Sequence, residues 1–199
     1  MIGVVAFDLG QVLSSPPDLY STPAALLDVE PDDYEALYWN DRVAYDAGGS
    51  RIEYYTPMLT ALGVKPTGEL MTQLACLDGE MWADLRPAAR ELLATVAGWG
   101  LRRVVVSNAP LALRRSVEQS DWLPLVERVF ISAELRLTKP DPRFYQFVTA
   151  AVGVAPHEIA FIDDRPRNVA AGTEFGWQSH LWVDDADSLA WLHQACGRG

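Results

Sequence analysis

The chain has 199 residues, 49% of them hydrophobic, which is enough to bury a full core as one domain or as one domain carrying an insertion. A formal net charge of −11 argues against nucleic acid or an anionic membrane as partner, and no apolar stretch approaches the roughly 18 residues of a membrane span. The first apolar run is too short for a signal sequence and has no basic residues before it, so a cytosolic protein is expected.

Residues 2–7 (IGVVAF) read as a buried parallel strand, and Asp8 follows them directly in FDLGQVL. The chain then turns through Ser14-Ser15-Pro16-Pro17, and about seventy residues follow without a strong strand candidate. Pro31-Asp32-Asp33 opens a predicted helix carrying Ala36, Leu37, Trp39, Val43 and Tyr45, ended by Gly48-Gly49. Ser50 with Glu53 forms a capping box for a second helix that Gly63 closes. A third is expected over Thr67–Trp82. From Arg86 the rhythm changes to alternating helix and strand. Pro87 starts a helix that Gly98 and Gly100 end, and RRVVV leads into Ser107-Asn108. The apolar run VFISA comes shortly before Lys139. Pro140-Asp141-Pro142 starts a helix to Gly153, EIAFI leads into Asp163-Asp164, and Pro166 starts a helix to Gly176, after which SHLWV reads as a strand. The end of the chain from Gly197 is expected to fray.

Charge supports the same division. Residues 18–85 hold thirteen acids and three bases, a net of −10, whereas the remainder nets −1. The expected architecture is α/β: a doubly wound, mostly parallel, Rossmann-like sheet from residues 1–14 and 86–199, with a small helical cap over residues 15–85 inserted after the first strand. Tyr34, Tyr38, Trp39, Tyr45, Tyr54 and Tyr55 of the insertion are expected to form its core, with Arg42 and Arg51 as its only arginines. Cys76 and Cys196 match no metal spacing and are expected to be reduced packing residues. The three histidines have no ligand spacing and are read as structural.

In open α/β sheets, chemistry collects beyond the carboxyl ends of the strands. Here that rim would bring together Asp8, Ser107, Lys139 and the pair Asp163-Asp164. A carboxylate nucleophile, a hydroxyl, an ammonium and two further carboxylates suit phosphoryl transfer through an aspartyl intermediate with a divalent cation. Lys139 is one of only two lysines among sixteen basic residues, which suggests a need for a compact point charge there.

FDLGQVL, VVVSN, Lys139-Pro140 and FIDDRPRNVAAG, in that order, resemble the four motifs of the haloacid dehalogenase-like hydrolases, with the helical segment where that family carries its C1 cap. The nearest look is to small-capped bacterial sugar-phosphate phosphatases, including those acting on glucose 1-phosphate. The resemblance implies Asp8 as nucleophile, and Asp8, the Gly10 carbonyl and Asp164 as ligands of Mg2+. It implies Asp163 holding a water or making a supporting contact behind the metal. Ser107, aided by Asn108, and Lys139 would bind the transferring phosphoryl group of a small phosphorylated metabolite. No protein partner is indicated.

One position departs from the family's commonest pattern. Gly10 stands where most of its phosphatases carry a second aspartate, which protonates the leaving group and then activates water. Water, the substrate or another carboxylate such as Asp18 would have to supply the proton, or only good leaving groups would be accepted. The alternatives are a 2-haloacid dehalogenase, against which the Asp163-Asp164 pair argues because it would repel an acid substrate, and a catalytically impaired metabolite-binding protein.

Overall fold

A computed structural model describes residues 1–197; Arg198 and Gly199, in the tail expected to fray, lie outside the described residues. Five strands form one parallel sheet in the order β3-β2-β1-β4-β5: β1 Val4–Phe7, β2 Arg102–Ser107, β3 Arg128–Ile131, β4 Ile159–Asp163 and β5 Gln178–Leu181. β1 and the last four residues of β2 are buried throughout, as suits strands covered on both faces. On one face Val5, Phe7 and Val105 pack with α6 (Pro87–Gly98), α7 (Ala112–Glu118) and Leu192 of α11 (Asp185–Ala195). On the other face Val4, Ala6 and Val106 pack with α9 (Pro142–Val152) and α10 (Pro166–Phe175).

Helices α1 (Ser21–Leu27), α2 (Pro31–Tyr38), α3 (Arg42–Asp46), α4 (Arg51–Ala61) and α5 (Gly68–Ala83) fill the stretch between β1 and α6. The Ser50/Glu53 capping box is present, and Thr67 caps α5. The segment is tied to the sheet side by α5 against α7, where Gly79 lets the backbones close in: a Cβ there would lie 2.7 Å from the Ala112 carbonyl oxygen. Trp122 also donates to the Ala83 carbonyl.

The single helix expected from Pro31 to Tyr45 is two helices, broken at Trp39-Asn40-Asp41, where Asn and Asp favour turn hydrogen bonding over helix continuation. α1, α7, α11 and the short α8 (Ser132–Leu135) were not anticipated, and α8 takes over the Ser132-Ala133 end of the expected VFISA run. The last strand starts and stops earlier than SHLWV. Both cysteines are free thiols. No helix among the described residues is long and apolar enough to cross a membrane.

The chain runs from β1 outward through β2 and β3, then returns to β4 on β1's other side. β1 therefore sits at the point where strand order reverses, and a crevice opens beyond its carboxyl end.

Candidate functional site

Asp8 is the first residue past β1, its N–H bonded to the Ile162 carbonyl of β4 at 2.9 Å. Ser107 ends β2 and Asp163 ends β4, so the matched registers bring all three to one rim. Lys139 arrives from the loop before α9. Its ammonium has three protons and meets three acceptors: the Val106 carbonyl at 2.7 Å, Asp163 Oδ2 at 2.6 Å and Asp8 Oδ1 at 2.9 Å. Its side chain is fully buried. Burial pulls the lysine's pKa down, but Asp163 and Asp8 outweigh it and hold it above the ordinary value.

Asp163 is saturated. Besides Lys139 it accepts from the Arg165 N–H at 2.9 Å and from the Asn168 amide. It is built to hold the lysine. Asn108, expected to assist Ser107 at the phosphoryl group, turns its amide to the Lys139 backbone instead, donating to its carbonyl at 2.7 Å and accepting its N–H at 2.8 Å. Ser107 Oγ has no hydrogen-bond partner among the described residues and lines the cavity with Asp8 and Asp164.

Asp8 Oδ1 is held by the Leu9 N–H at 2.7 Å as well as by Lys139, which leaves Oδ2 the less engaged oxygen. Burial pushes the Asp8 carboxyl up to about 8 against the pull of Lys139, with Asp163 and Asp164 adding to the rise. Burial, then Asp163, also raises Asp164, against Arg165 and Lys139. Carboxylate oxygens of Asp8, Asp163 and Asp164 lie within 4.8 Å of one another, facing one ammonium whose protons are already committed. Hard oxygen donors in negative excess fit a divalent cation of the Mg2+ type, which would favour the ionised forms that burial, and then repulsion, disfavour at Asp8 and Asp164. Gly10 contributes a carbonyl beside Asp8, which already accepts the Val12 N–H at 2.7 Å and has a second lone pair.

The helical insertion supplies the opposite wall. Trp82 of α5 stands over Gly10, its ring 3.5 Å from where a Cβ would be. Trp39 is 42% exposed and lines the cavity, so it is not part of the aromatic core that holds Tyr34, Tyr38, Tyr45, Tyr54 and Tyr55. Arg42 and Asp46 of α3 also line it. Arg42 is buried and pairs with Asp46 through Nε at 2.8 Å and with Asp78 of α5 through Nη1 at 2.9 Å; Tyr38 hydroxyl lies between, taking the Arg42 Nη1 and Trp82 donors and donating to Asp78 at 2.5 Å. The sequence marked Arg42 and Arg51 as the two arginines of which one could reach a substrate, and gave Asp46 no role; neither Arg42 nor Asp46 lies in a recognisable motif. Asp18 is not in this cavity. It is exposed beside the Pro16-Pro17 turn, where its Oδ1 accepts the Ser21 hydroxyl at 3.4 Å.

A family model described as haloacid dehalogenase-like hydrolase matches residues 24–176. Phosphoserine phosphatase of Thermus thermophilus is 32% identical over 101 residues, covering 50% of this chain and 41% of its own length. The chain thus spans about two fifths of that relative. Among solved structures, a HAD family enzyme of Bacteroides thetaiotaomicron in complex with magnesium and inorganic phosphate superposes with a TM-score of 0.72 at 18% identity, covering 92% of this chain and 95% of that one. L-2-haloacid dehalogenase of Xanthobacter autotrophicus, with chloropropionic acid covalently bound, gives 0.75 at 20% identity over 98% of this chain and 83% of its own. At these identities the structural likeness speaks to the fold alone.

Proposed function

Because the chain belongs to the haloacid dehalogenase-like hydrolases, we propose that it is a Mg2+-dependent phosphatase of a small phosphorylated metabolite, working through an aspartyl-phosphate on Asp8. The observation that carries this reading is Lys139, spent on Asp8, Asp163 and a carbonyl beside a third carboxylate, Asp164. A dehalogenase acting on an acid substrate gains nothing from that acidic pair, which is why the phosphatase reading is preferred although dehalogenases share the fold. Sugar phosphates are the proposed substrate class, and residues 15–85 the cap that closes over them.

Each residue then has a task. Asp8 Oδ2 attacks phosphorus while Lys139 and the Leu9 N–H hold Oδ1 in place. Ser107 Oγ donates to a phosphoryl oxygen, and Lys139 offsets charge near the transferring group. Mg2+, held by Asp8, Asp164 and the Gly10 carbonyl, would supply charge neutralisation at the phosphoryl oxygens. The likeness to a phosphatase of a small phosphorylated metabolite supports this class of substrate.

Phosphate release from a panel of phosphoesters tests the reading. Wild type should turn over with Mg2+ and stop in EDTA, and Asp8→Asn should fall to background. Release that survives Asp8→Asn, or that ignores EDTA, overturns it.

Stability offers a second test that needs no substrate. In the cation-free protein the Asp8 pKa is raised from near 3.9 to about 8, so ionising Asp8 opposes folding and stability is lost as pH climbs through that window. Mg2+ binds the ionised form, so its stabilisation should grow between about pH 5.5 and about pH 8. At a hundredfold excess over Kd the gain is about 2.7 kcal/mol, or roughly 5–10 °C in Tm for a domain this size. A Tm indifferent to Mg2+ at about pH 8 would count against a metal site.

A further inference from the structure

Gly10 leaves the site without the usual proton donor, because glycine carries no side chain to hold one. The Trp82 indole, anchored by its bond to Tyr38 at 2.8 Å, stands over that position, its ring 3.5 Å from where a Cβ would lie. The donor must come from elsewhere on the cavity wall. The ionisable side chains there are Asp8, Arg42, Asp46, Asp164 and Arg165. Asp8 is committed to attack and Asp164 to the cation, and arginines do not give up protons. One protonatable group remains.

We infer that Asp46, presented by helix α3 of the insertion, is the acid–base residue of the reaction, taking over from the opposite wall the role that Gly10 cannot fill. This rests on the phosphatase reading. In the first half, Asp8 Oδ2 forms a bond to phosphorus, the bond from phosphorus to the ester oxygen breaks, and that oxygen takes the proton of the Asp46 carboxyl and leaves as an alcohol. In the second half, the Asp46 carboxylate removes a proton from water, whose oxygen bonds to phosphorus. The bond from Asp8 to phosphorus breaks, inorganic phosphate leaves, and Asp46 is protonated again. Atoms and charge return to the starting state.

The geometry around Asp46 suits this. Its Oδ1 accepts from Arg42 Nε at 2.8 Å, which fixes the carboxyl and leaves Oδ2 to carry the proton. Its side chain is only 13% exposed. The Asp46 carbonyl accepts the Ser132 hydroxyl at 2.5 Å, tying the end of α3 to the sheet side. The charged groups facing it are Arg42 on its own helix, Asp78 on α5 and Arg165 before α10. Burial is the largest influence and pushes the carboxyl up to about 6; Arg42 and Arg165 oppose that and Asp78 adds to it. Such a group exchanges protons near neutral pH.

The test compares wild type with Asp46→Asn on two aryl phosphates, 4-nitrophenyl phosphate with its good leaving group and phenyl phosphate with its poor one, both with Mg2+. Asp46→Asn should lose about 10²–10⁴-fold on phenyl phosphate and far less in the first step on 4-nitrophenyl phosphate, with phosphorylated Asp8 accumulating in acid-quenched protein by intact mass. Asp46→Glu should restore part of the phenyl phosphate rate. The ratio of the two substrates within one variant does not depend on how much of it is folded. An unchanged ratio with no trapped phosphoprotein overturns the inference and leaves the phosphatase reading standing. If wild type hydrolyses neither compound nor any phosphoester of the panel, both fall together. Should Asp46→Asn yield no folded protein, the wild-type pH profile decides. Phenyl phosphate turnover should fall as pH rises through about 6, and its persistence unchanged to about pH 8 overturns the assignment.

Discussion

Lys139→Met should destabilise the protein by about 3–5 kcal/mol and abolish turnover. Methionine fills similar volume without charge, so the loss reports the ammonium itself. In its absence Asp8 and Asp163 remain buried with their common partner gone, the arrangement in which breaking a buried pair costs most. The penalty depends on pH in a defined direction. Asp8 is already raised by burial, and losing Lys139 raises it further, so the variant sheds its strain by taking up a proton. The difference between wild type and Lys139→Met should therefore be smaller at about pH 5 than at about pH 8. Urea unfolding at both values measures it. Lys139→Arg should not rescue, because a planar fork cannot meet three acceptors disposed around one compact point. Equal stability of Lys139→Met and wild type at about pH 8 would mean that pairing merely offsets the ammonium's own desolvation.

Asp78→Ala should cost about 3 kcal/mol, the low end of the same range, because Arg42 keeps Asp46 as a partner. Arg42 and Asp78 are both nearly inaccessible, at 5% exposure each. The Tyr38 hydroxyl between them loses its acceptor as well. A triple variant that neutralises the whole cluster, Arg42→Met with Asp78→Leu and Asp46→Asn, should recover much of that stability, since apolar packing commonly equals a buried ion pair. Recovery would identify the cluster as a device for shaping the cavity wall. Activity carries a second signature. Asp78 raises the Asp46 carboxyl and Arg42 lowers it, so Asp78→Ala should move the pH limb assigned to Asp46 to lower pH. Urea unfolding reads the first effect and a pH–rate profile the second; a limb that stays in place separates Asp78 from Asp46.

The site shows how far a sequence reaches. Asp8, Ser107 and Asp163 each follow or end an apolar run, and strand ends were legible because four or five consecutive buried residues leave a continuous signature. The capping box at Ser50 and the proline starts of α6, α9 and α10 were legible for the same local reason. The short helices α1, α7 and α8 were not, since seven residues or fewer scarcely complete two turns and show little periodicity. Trp39 carried no sign of its exposure, because a tryptophan reads as core unless the position of the opposite wall is known.

What the sequence by itself determined was the core strands, the proline-started helices α6, α9 and α10, the rim acids and the lysine between them, because each depends on neighbours within a few positions. What only the tertiary structure decided was how those groups are used. Asn108 holds the Lys139 backbone 31 positions away, Asp163 takes one of the lysine's three protons, and α3 brings Arg42 and Asp46 to the cavity wall while Trp82 stands over Gly10. These contacts join segments far apart in the chain, and their energies come from burial and paired charge, which no local pattern of residue types records.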